Sequence, residues 1–459
     1  MWSPGDRVEH PAHGPGRVLR VLAPGQRLLV AFPSRDDVPW LILSEELGPN
    51  PVLGPLPAAA DPRPTGSAVH AADARASLEA LRLGVVPERA LDALTVGREG
   101  ELAAVDRTLA AGRGLRAVLG SYGAGKTQLL ALVGARATAA GFLCARVSFD
   151  PVERPPSHPL RLYSALMADL ETPHAAERGL GPVLRALGPD PRMLGGPLQH
   201  RWLSAALWAV HFGAPALAEQ VLDFVEARSH HEPAEIAQAL HRAGYRGPRP
   251  LGLPDYRTFG QIMAHLLSGL ATWAAAAGHA GLVLLLDEAE VSERMAPTSR
   301  AFATEVLRYL AVTACEEPAL AFSPAALSRG GHPAHQAIPP CAFPAPPVVV
   351  FTALTPDPSV EDALRKVIPE GEAWLRLPLL GPRSLPALAS RVEALVRAAW
   401  PELPLDPAFS RDLDRALLRA AAAGQVQTPR EAARALVEAW DLWRWRPPLA
   451  RRALGLDDP

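Results

Sequence analysis

The sequence predicts an α/β protein built on a parallel sheet, and three observations carry that prediction. A short apolar stretch at 115–120, LRAVLG, opens directly into a glycine-rich loop and then a helix of about 126–140. A second, strongly apolar stretch, GLVLLLD at 281–287, ends abruptly on acidic residues. Around these two points strands and helices alternate, the pattern of a sheet covered by helices on both faces.

The bulk composition bounds the rest. A chain of 459 residues suits about two to four domains. With 48% of its residues hydrophobic it can bury a large core. A formal net charge of −2 provides no global field for nucleic acid or an acidic surface. Three separated cysteines, Cys144, Cys315 and Cys341, are too few for a disulfide scaffold and fit a reducing compartment. No continuous apolar run of about 18 residues occurs, and MWSPGDRVEHP is no export signal. We expect a soluble, cytoplasmic protein without a membrane segment.

Residues 1–48 hold short alternating strands, GDRVEH, GRVLRVL, RLLVAF and WLILSEEL, punctuated by Gly14, Pro15, Gly16 and the Pro24-Gly25 pair. They predict a small SH3-like or Tudor-like β-barrel. Residues 49–70, rich in Pro, Ala and Gly, read as a semi-rigid linker. The first part of the core spans 71–150. It holds a helix at about 71–83, a turn from Gly84 to Pro87, a helix at about 99–111, the strand at 115–120 with its loop and helix, and a strand at 142–149. In 151–255, prolines cluster at 151–159 and amphipathic helices follow, for example at 201–228; this predicts a helical insertion with its own face to bury. The second part of the core, 256–380, adds a helix at about 256–278, the 281–287 strand, a helix at about 297–315 and a Pro-rich stretch at 322–346. Strands at 348–354 and 372–379 complete the sheet. Residues 381–459 are helical from about 384 to 443, a C-terminal lid.

Two motifs carry chemistry. Gly120-Ser121-Tyr122-Gly123-Ala124-Gly125-Lys126-Thr127 is a complete Walker A pattern between a strand and a helix. Its glycines let backbone N–H groups turn around phosphate oxygens, Lys126 adds a point charge on the β- and γ-phosphates, and the Thr127 hydroxyl suits Mg²⁺. Gln128 follows in the helix's first turn. Lysine occurs only at Lys126 and Lys366, amid abundant arginine. A lysine kept against that bias does something a branched guanidinium cannot. Leu282 to Leu286 followed by Asp287-Glu288 is a Walker B pattern. Asp287 emerges at a strand end to hold Mg²⁺, and Glu288 is placed to polarise an attacking water. ATP with Mg²⁺ is the expected ligand.

Other residues have two readings each. Thr352, near the end of the next apolar strand, either senses the γ-phosphate or fills a strand position, with Thr355 as the fallback. Val96, Gly97 and Arg98 either line an adenine pocket or form an ordinary helix start. Thr428-Pro429-Arg430-Glu431 reads as a helix N-terminus with Thr as the cap. A cation in a first turn opposes the helix dipole, so Arg430 should have an anionic partner, either the γ-phosphate or a carboxylate. Arg294, Arg300 and Arg308 are candidates for fingers acting in trans. His332, His335 and Cys341 match no closed metal site. The stretch 322–346 reads as a mobile loop. The tail with Trp440, Trp443, Trp445, Arg446, Arg451 and Arg452 either binds nucleic acid or packs as an amphipathic helix end.

In combination, TVGREGEL, GSYGAGKT, RVSFDPVERP, LLLDEAE and TPREAARALVEAWD resemble the P-loop ATP-binding proteins of BREX-type anti-phage defence systems. The resemblance runs over about 75–443 and is most specific in GSYGAGKT and LLLDEAE. It implies an ASCE-type, AAA+ or Orc/Cdc6-like P-loop NTPase core with a helical lid, ATP and Mg²⁺, and work on or beside DNA with helicase or modification partners. GDRVEHPAHGPGRVLRV separately resembles the small domain of CarD-like and Tudor-like proteins, which implies a protein partner such as RNA polymerase; RDDVPW is short for that pattern. The leading expectation is an ATP-hydrolysing motor or switch in a DNA-linked defence complex. The alternatives are a nucleotide-responsive scaffold and a transcription-linked adaptor. Direct DNA contact and homo-oligomerisation stay open.

Overall fold

The computed structural model describes residues 70–454 except 174–176, 230, 254–258, 316–337, 369–370, 380 and 382–383, together with strand residues within the first 49 positions. Those N-terminal strands are β1 (Arg7–His10), β2 (Gly14–Ala23), β3 (Arg27–Ala31), β4 (Trp40–Leu43) and β5 (Gly48–Pro49). They pair antiparallel in the order β4-β3-β2-β1-β5, with Val18 opposite Val30 and both buried. No pairing among the described residues joins β4 to β5, so the expected closed barrel has no support. Linker residues 51–69 lie outside the described residues.

The second sheet comprises β6 (Gly114–Leu119), β7 (Leu143–Ser148), β8 (Leu282–Asp287), β9 (Val348–Leu354) and β10 (Trp374–Arg376). All its pairings are parallel, and the order is β10-β6-β9-β8-β7. This is a mixed α/β architecture compatible with the P-loop NTPase fold. β8 and β9 are buried at every residue, which is why both read as unbroken apolar runs. The expected strand at 372–379 is only three residues long at β10, on the sheet edge.

Strand alternation divides the core between two faces. Val283, Leu285, Val349 and Phe351 face a cluster with Leu129, Leu130 and Val133 of the helix Lys126–Ala139. Leu282, Leu284, Leu286, Val348 and Val350 face the other side. There the helices Pro159–Asp169, Gly260–Ala276 and Pro297–Cys315 cover them. The helices between 180 and 243 join this second face through Leu184, Trp202, Leu207, Val221 and Ile236. The insertion therefore shares the core of the sheet instead of burying a face of its own.

A separate cluster gathers the C-terminal helices Leu385–Ala399, Pro407–Ala422 and Pro429–Trp445. Ala74 and Leu78 of the helix Ala71–Leu83, with Ala90 and Leu94, belong to this cluster and not to the sheet. The segment expected with the first half of the core thus packs on helices three hundred residues later, because its apolar stripe finds its partner there. Trp440 and Trp443 are buried against Phe409, with ring centroids 5.2 and 4.2 Å apart, so this part of the tail packs as a helix. Trp445 is exposed.

The Pro-rich stretch is anchored where it is described. Gln261 Nε2 donates to Ile338 O at 2.5 Å, His265 Nδ1 lies 2.9 Å from Pro339 O, and Ala342 N donates to Ser268 Oγ at 2.9 Å. Residues 338–342 thus follow one ridge of the helix Gly260–Ala276. His332 and His335 lie outside the described residues. Among the described residues no helix is long and apolar enough to cross a membrane.

Candidate nucleotide-binding site

The loop between β6 and the helix Lys126–Ala139 adopts left-handed backbone at Gly123 (φ 79°) and Gly125 (φ 94°), which L side chains rarely accept. Gly125 is the helix N-cap and supplies no side-chain acceptor, and the first turn contains no acidic residue. The helix therefore presents free N–H groups and its positive dipole end to the cleft, a ready anion site. Arg98, buried at 8% exposure, braces the loop: its Nη2 donates to Ala124 O at 2.8 Å and its Nη1 pairs with Glu101 at 3.1 Å.

Lys126 Nζ donates to Gly120 O at 2.8 Å, to Thr355 Oγ1 at 3.0 Å and, more weakly, to Ser121 O at 3.4 Å. Burial holds its pKa below the ordinary lysine value, against the opposing pull of Glu290, Asp287 and Glu288. Asp287, 4% exposed, sits at the end of β8 opposite Ser148 of β7. Its Oδ1 accepts from Glu288 N at 3.0 Å. Glu288 has a positive φ of 59°, a conformation that costs about 1–3 kcal/mol in a non-glycine residue. Such strain persists where the surroundings impose it, here between a buried strand end and the 3₁₀ turn Ala289–Arg294. Desolvation first, then the negative charges of Asp287 and Glu290, push the Glu288 carboxyl up.

Two residues enter the site beyond the motif positions. Glu290 Oε1 accepts from the Thr355 hydroxyl at 2.5 Å, so Lys126, Thr355 and Glu290 form a chain of hydrogen bonds. The acidic LLLDEAE block contained the signal for Glu290. Thr352, by contrast, is fully buried within β9, level with Ala117 and Leu286, and does not line the cleft. The polar group that reaches the lysine is Thr355, just past the strand end, where the chain leaves the sheet.

The C-terminal helices close the other side. Thr428 caps the helix Pro429–Trp445: its Oγ1 accepts from Glu431 N at 3.2 Å, and Glu431 Oε2 accepts from Thr428 N at 3.0 Å. A Cβ at Gly123 would stand 2.8 Å from Thr428 Cβ, so the loop touches this helix cap. Arg430 Nη1 donates to the Tyr122 hydroxyl at 2.8 Å, and its guanidinium lies 5.1 Å from that ring's centroid. Among the described residues Arg430 pairs with no carboxylate. Val86, Pro87, Leu94, Val96, Leu132, Leu388 and Ala433 make an apolar wall. Gly97 is exposed outside it and serves the turn with a φ of 62°. Gln128 Nε2 donates to Thr95 Oγ1 at 3.3 Å.

The loop, the strand ends, the C-terminal helices and the apolar wall line a cleft of about 1180 Å³, its open mouth included. Ser121 and Gly97 are absent from its lining, whereas Tyr122 through Gln128, Asp287, Glu288, Glu290, Thr355 and Arg430 line it. The three arginines proposed as fingers lie elsewhere. Arg300 Nη2 donates to Glu293 O at 3.1 Å, Arg308 pairs with Glu305 at 3.3 Å, and Arg294 ends the 3₁₀ turn.

Residues 69–186 match the family described as BREX system ATP-binding protein BrxC/D. The matched span includes Arg98, β6, the phosphate loop and β7, and it ends before β8. No curated protein matches the chain. Over about a quarter of its length, then, this chain is similar to an ATP-binding protein of BREX systems.

Proposed function

We propose that this chain binds ATP with Mg²⁺ in the cleft and hydrolyses it, as a cytoplasmic component of a BREX-type defence assembly. One observation carries the reading: three distant chain segments bring a glycine-turned helix N-terminus with Lys126, the Asp287-Glu288 pair and Arg430 to a single cleft. Its donor set fits a metal-bound polyphosphate: N–H groups and a buried ammonium suit the phosphate oxygens, and the Thr127 hydroxyl and Asp287 carboxylate suit a cation.

The apolar wall between Val86 and Ala433 takes the base. The loop N–H groups and Lys126 hold the phosphate oxygens. Thr127 and Asp287 would hold Mg²⁺, which supplies charge neutralisation on those oxygens. Glu288 accepts a proton from the attacking water as the new P–O bond forms and the bond to the bridging oxygen of ADP breaks. Its raised carboxyl pKa moves it toward the operating pH, as a general base requires. Arg430 stands where it can exchange the Tyr122 hydroxyl for a phosphate oxygen, which makes it a sensor of occupancy. Work on DNA, helicase or modification partners, and an adaptor role for the N-terminal strands belong to the same proposal.

A second reading, a nucleotide-responsive scaffold, draws on the direct contact of the lid with the loop at Gly123 and Tyr122. Steady-state ATP hydrolysis separates the two. Glu288→Gln should lower turnover by roughly 10²–10⁴ while ATP binding persists, and double-stranded DNA should stimulate the wild type. Tight ATP binding without turnover in either protein would leave the scaffold.

A further inference from the structure

The chain Lys126–Thr355–Glu290 has a fixed direction. A lysine ammonium only donates and an ionised carboxylate only accepts. Thr355 lies between them, 3.0 Å from Lys126 Nζ and 2.5 Å from Glu290 Oε1. Its single hydroxyl hydrogen must therefore point to Glu290, and its oxygen must accept from Lys126. Thr355 so bound has no hydrogen left for another acceptor in the cleft that it lines. The second oxygen of Glu290, Oε2, is buried and has no hydrogen-bond partner.

We propose that Glu290 is a positioning residue that sets the direction of the Thr355 hydroxyl and thereby discriminates nucleotides by their terminal phosphate. This inference rests on the ATP reading above. Ionised phosphate oxygens are acceptors, so a γ-phosphate gains Thr355 as a donor only if the hydroxyl turns away from Glu290. That turn leaves a part-buried carboxylate with neither oxygen satisfied, which is unfavourable. The turn moves only the hydrogen, so the Thr355 oxygen still accepts from Lys126 and the cost falls on Glu290. ADP, which lacks the group that would claim the hydroxyl, does not meet this opposition. Glu290 thus acts against the triphosphate in particular, and its effect passes through Thr355.

Glutamine at this position keeps the shape of Glu290 and adds a donor, which lets the Thr355 hydroxyl turn toward phosphate. The test is the affinity of the full chain for ADP and for an ATP analogue with a non-hydrolysable β–γ bridge, with Mg²⁺ and with EDTA. Glu290→Gln should raise the preference for the triphosphate roughly tenfold, the equivalent of one charge-assisted hydrogen bond, in both conditions. Thr355→Val should abolish the response to Glu290→Gln, and Thr355→Ser, which keeps the hydroxyl, should retain it. A preference unchanged by Glu290→Gln, or a response that persists in Thr355→Val, overturns the proposal. So does a loss of affinity seen only with Mg²⁺, which would make Glu290 a partner of the cation. A wild type that binds neither nucleotide overturns the ATP reading itself, a different result from a wild type that binds both and ignores Glu290.

Discussion

The loop side and the wall side of the cleft are built largely on different cores. Asp287 ends β8 and Thr355 follows β9, while Lys126 opens the helix packed on the sheet, whose two faces carry separate apolar clusters. Leu94, Val96, Leu388 and Ala433 of the apolar wall, with the helix that carries Arg430, belong to the cluster that joins the helix Ala71–Leu83 to the C-terminal helices, while Leu132 of the wall comes from the helix Lys126–Ala139. The carboxylates and the ammonium thus stand at the strand ends and the adjoining helix start, where Thr355 links Lys126 to Glu290. The second cluster meets the first at the loop, through Gly123–Thr428 and Tyr122–Arg430. On the proposed reading, a site divided this way would couple occupancy to the relative position of two cores.

The largest effect should come from the second core. Trp440 is 2% exposed and meets Phe409 edge to face. Trp440→Ala should destabilise that cluster by about 3–5 kcal/mol. Hydrogen exchange should then speed up in 71–83 and 385–445 while β6, β8 and β9 stay protected. Acceleration that extends equally into the sheet would mean one cooperative core and would break the comparison.

Lys126→Ala should do the reverse. It should weaken ATP binding roughly hundredfold, as loss of a charge-assisted contact of about 3 kcal/mol requires, and leave exchange in the C-terminal helices unchanged. Equal affinities by calorimetry would remove the phosphate role of the loop. Arg430→Ala, at the junction, should cost less, roughly tenfold in turnover with a smaller change in affinity. Unchanged affinity and turnover together would show that Arg430 only packs on Tyr122.

The smallest effect is a pH dependence within the sheet's core. Burial first, then the charges of His265 and Arg201, hold the His200 pKa well below the ordinary histidine value, and burial lowers that of His265. Neutral His200 suits its place, since its Nδ1 accepts from Trp202 N and Leu203 N, both at 3.3 Å. With the folded pKa below the unfolded value of about 6.5, the unfolded chain binds more protons between the two. This contribution to stability is complete above about pH 6.5 and is lost as the pH falls toward the folded pKa. The raised carboxyls of Glu226 and Glu305 act in the opposite direction. The difference in urea stability between wild type and His200→Gln isolates the histidine; it should shrink on going from pH 8 to pH 5.5, and growth would reverse the assignment.

Contiguous patterns yielded their structure directly. The phosphate loop, the buried run before Asp287 and the capping box at Thr428 each follow from residues within a few positions of one another, because backbone sterics, strand alternation and helix capping are local. Their positions in the structure match those expected. Composition likewise singled out Lys126 before any contact was known.

What depended on contacts between distant segments could not be read this way. Thr352 and Thr355 are equally plausible in a strand written alone; only the register of β9 between β6 and β8 buries the first and brings the second to Lys126. Arg430 showed its need for a partner, yet the partner is a tyrosine hydroxyl 308 positions away. The helix Ala71–Leu83 displays an apolar stripe, and a stripe does not say which of two cores will bury it. Local rules determine which groups a segment can present. Packing between segments remote in sequence selects which of those groups meet, because burial rewards apolar contact without regard to chain distance.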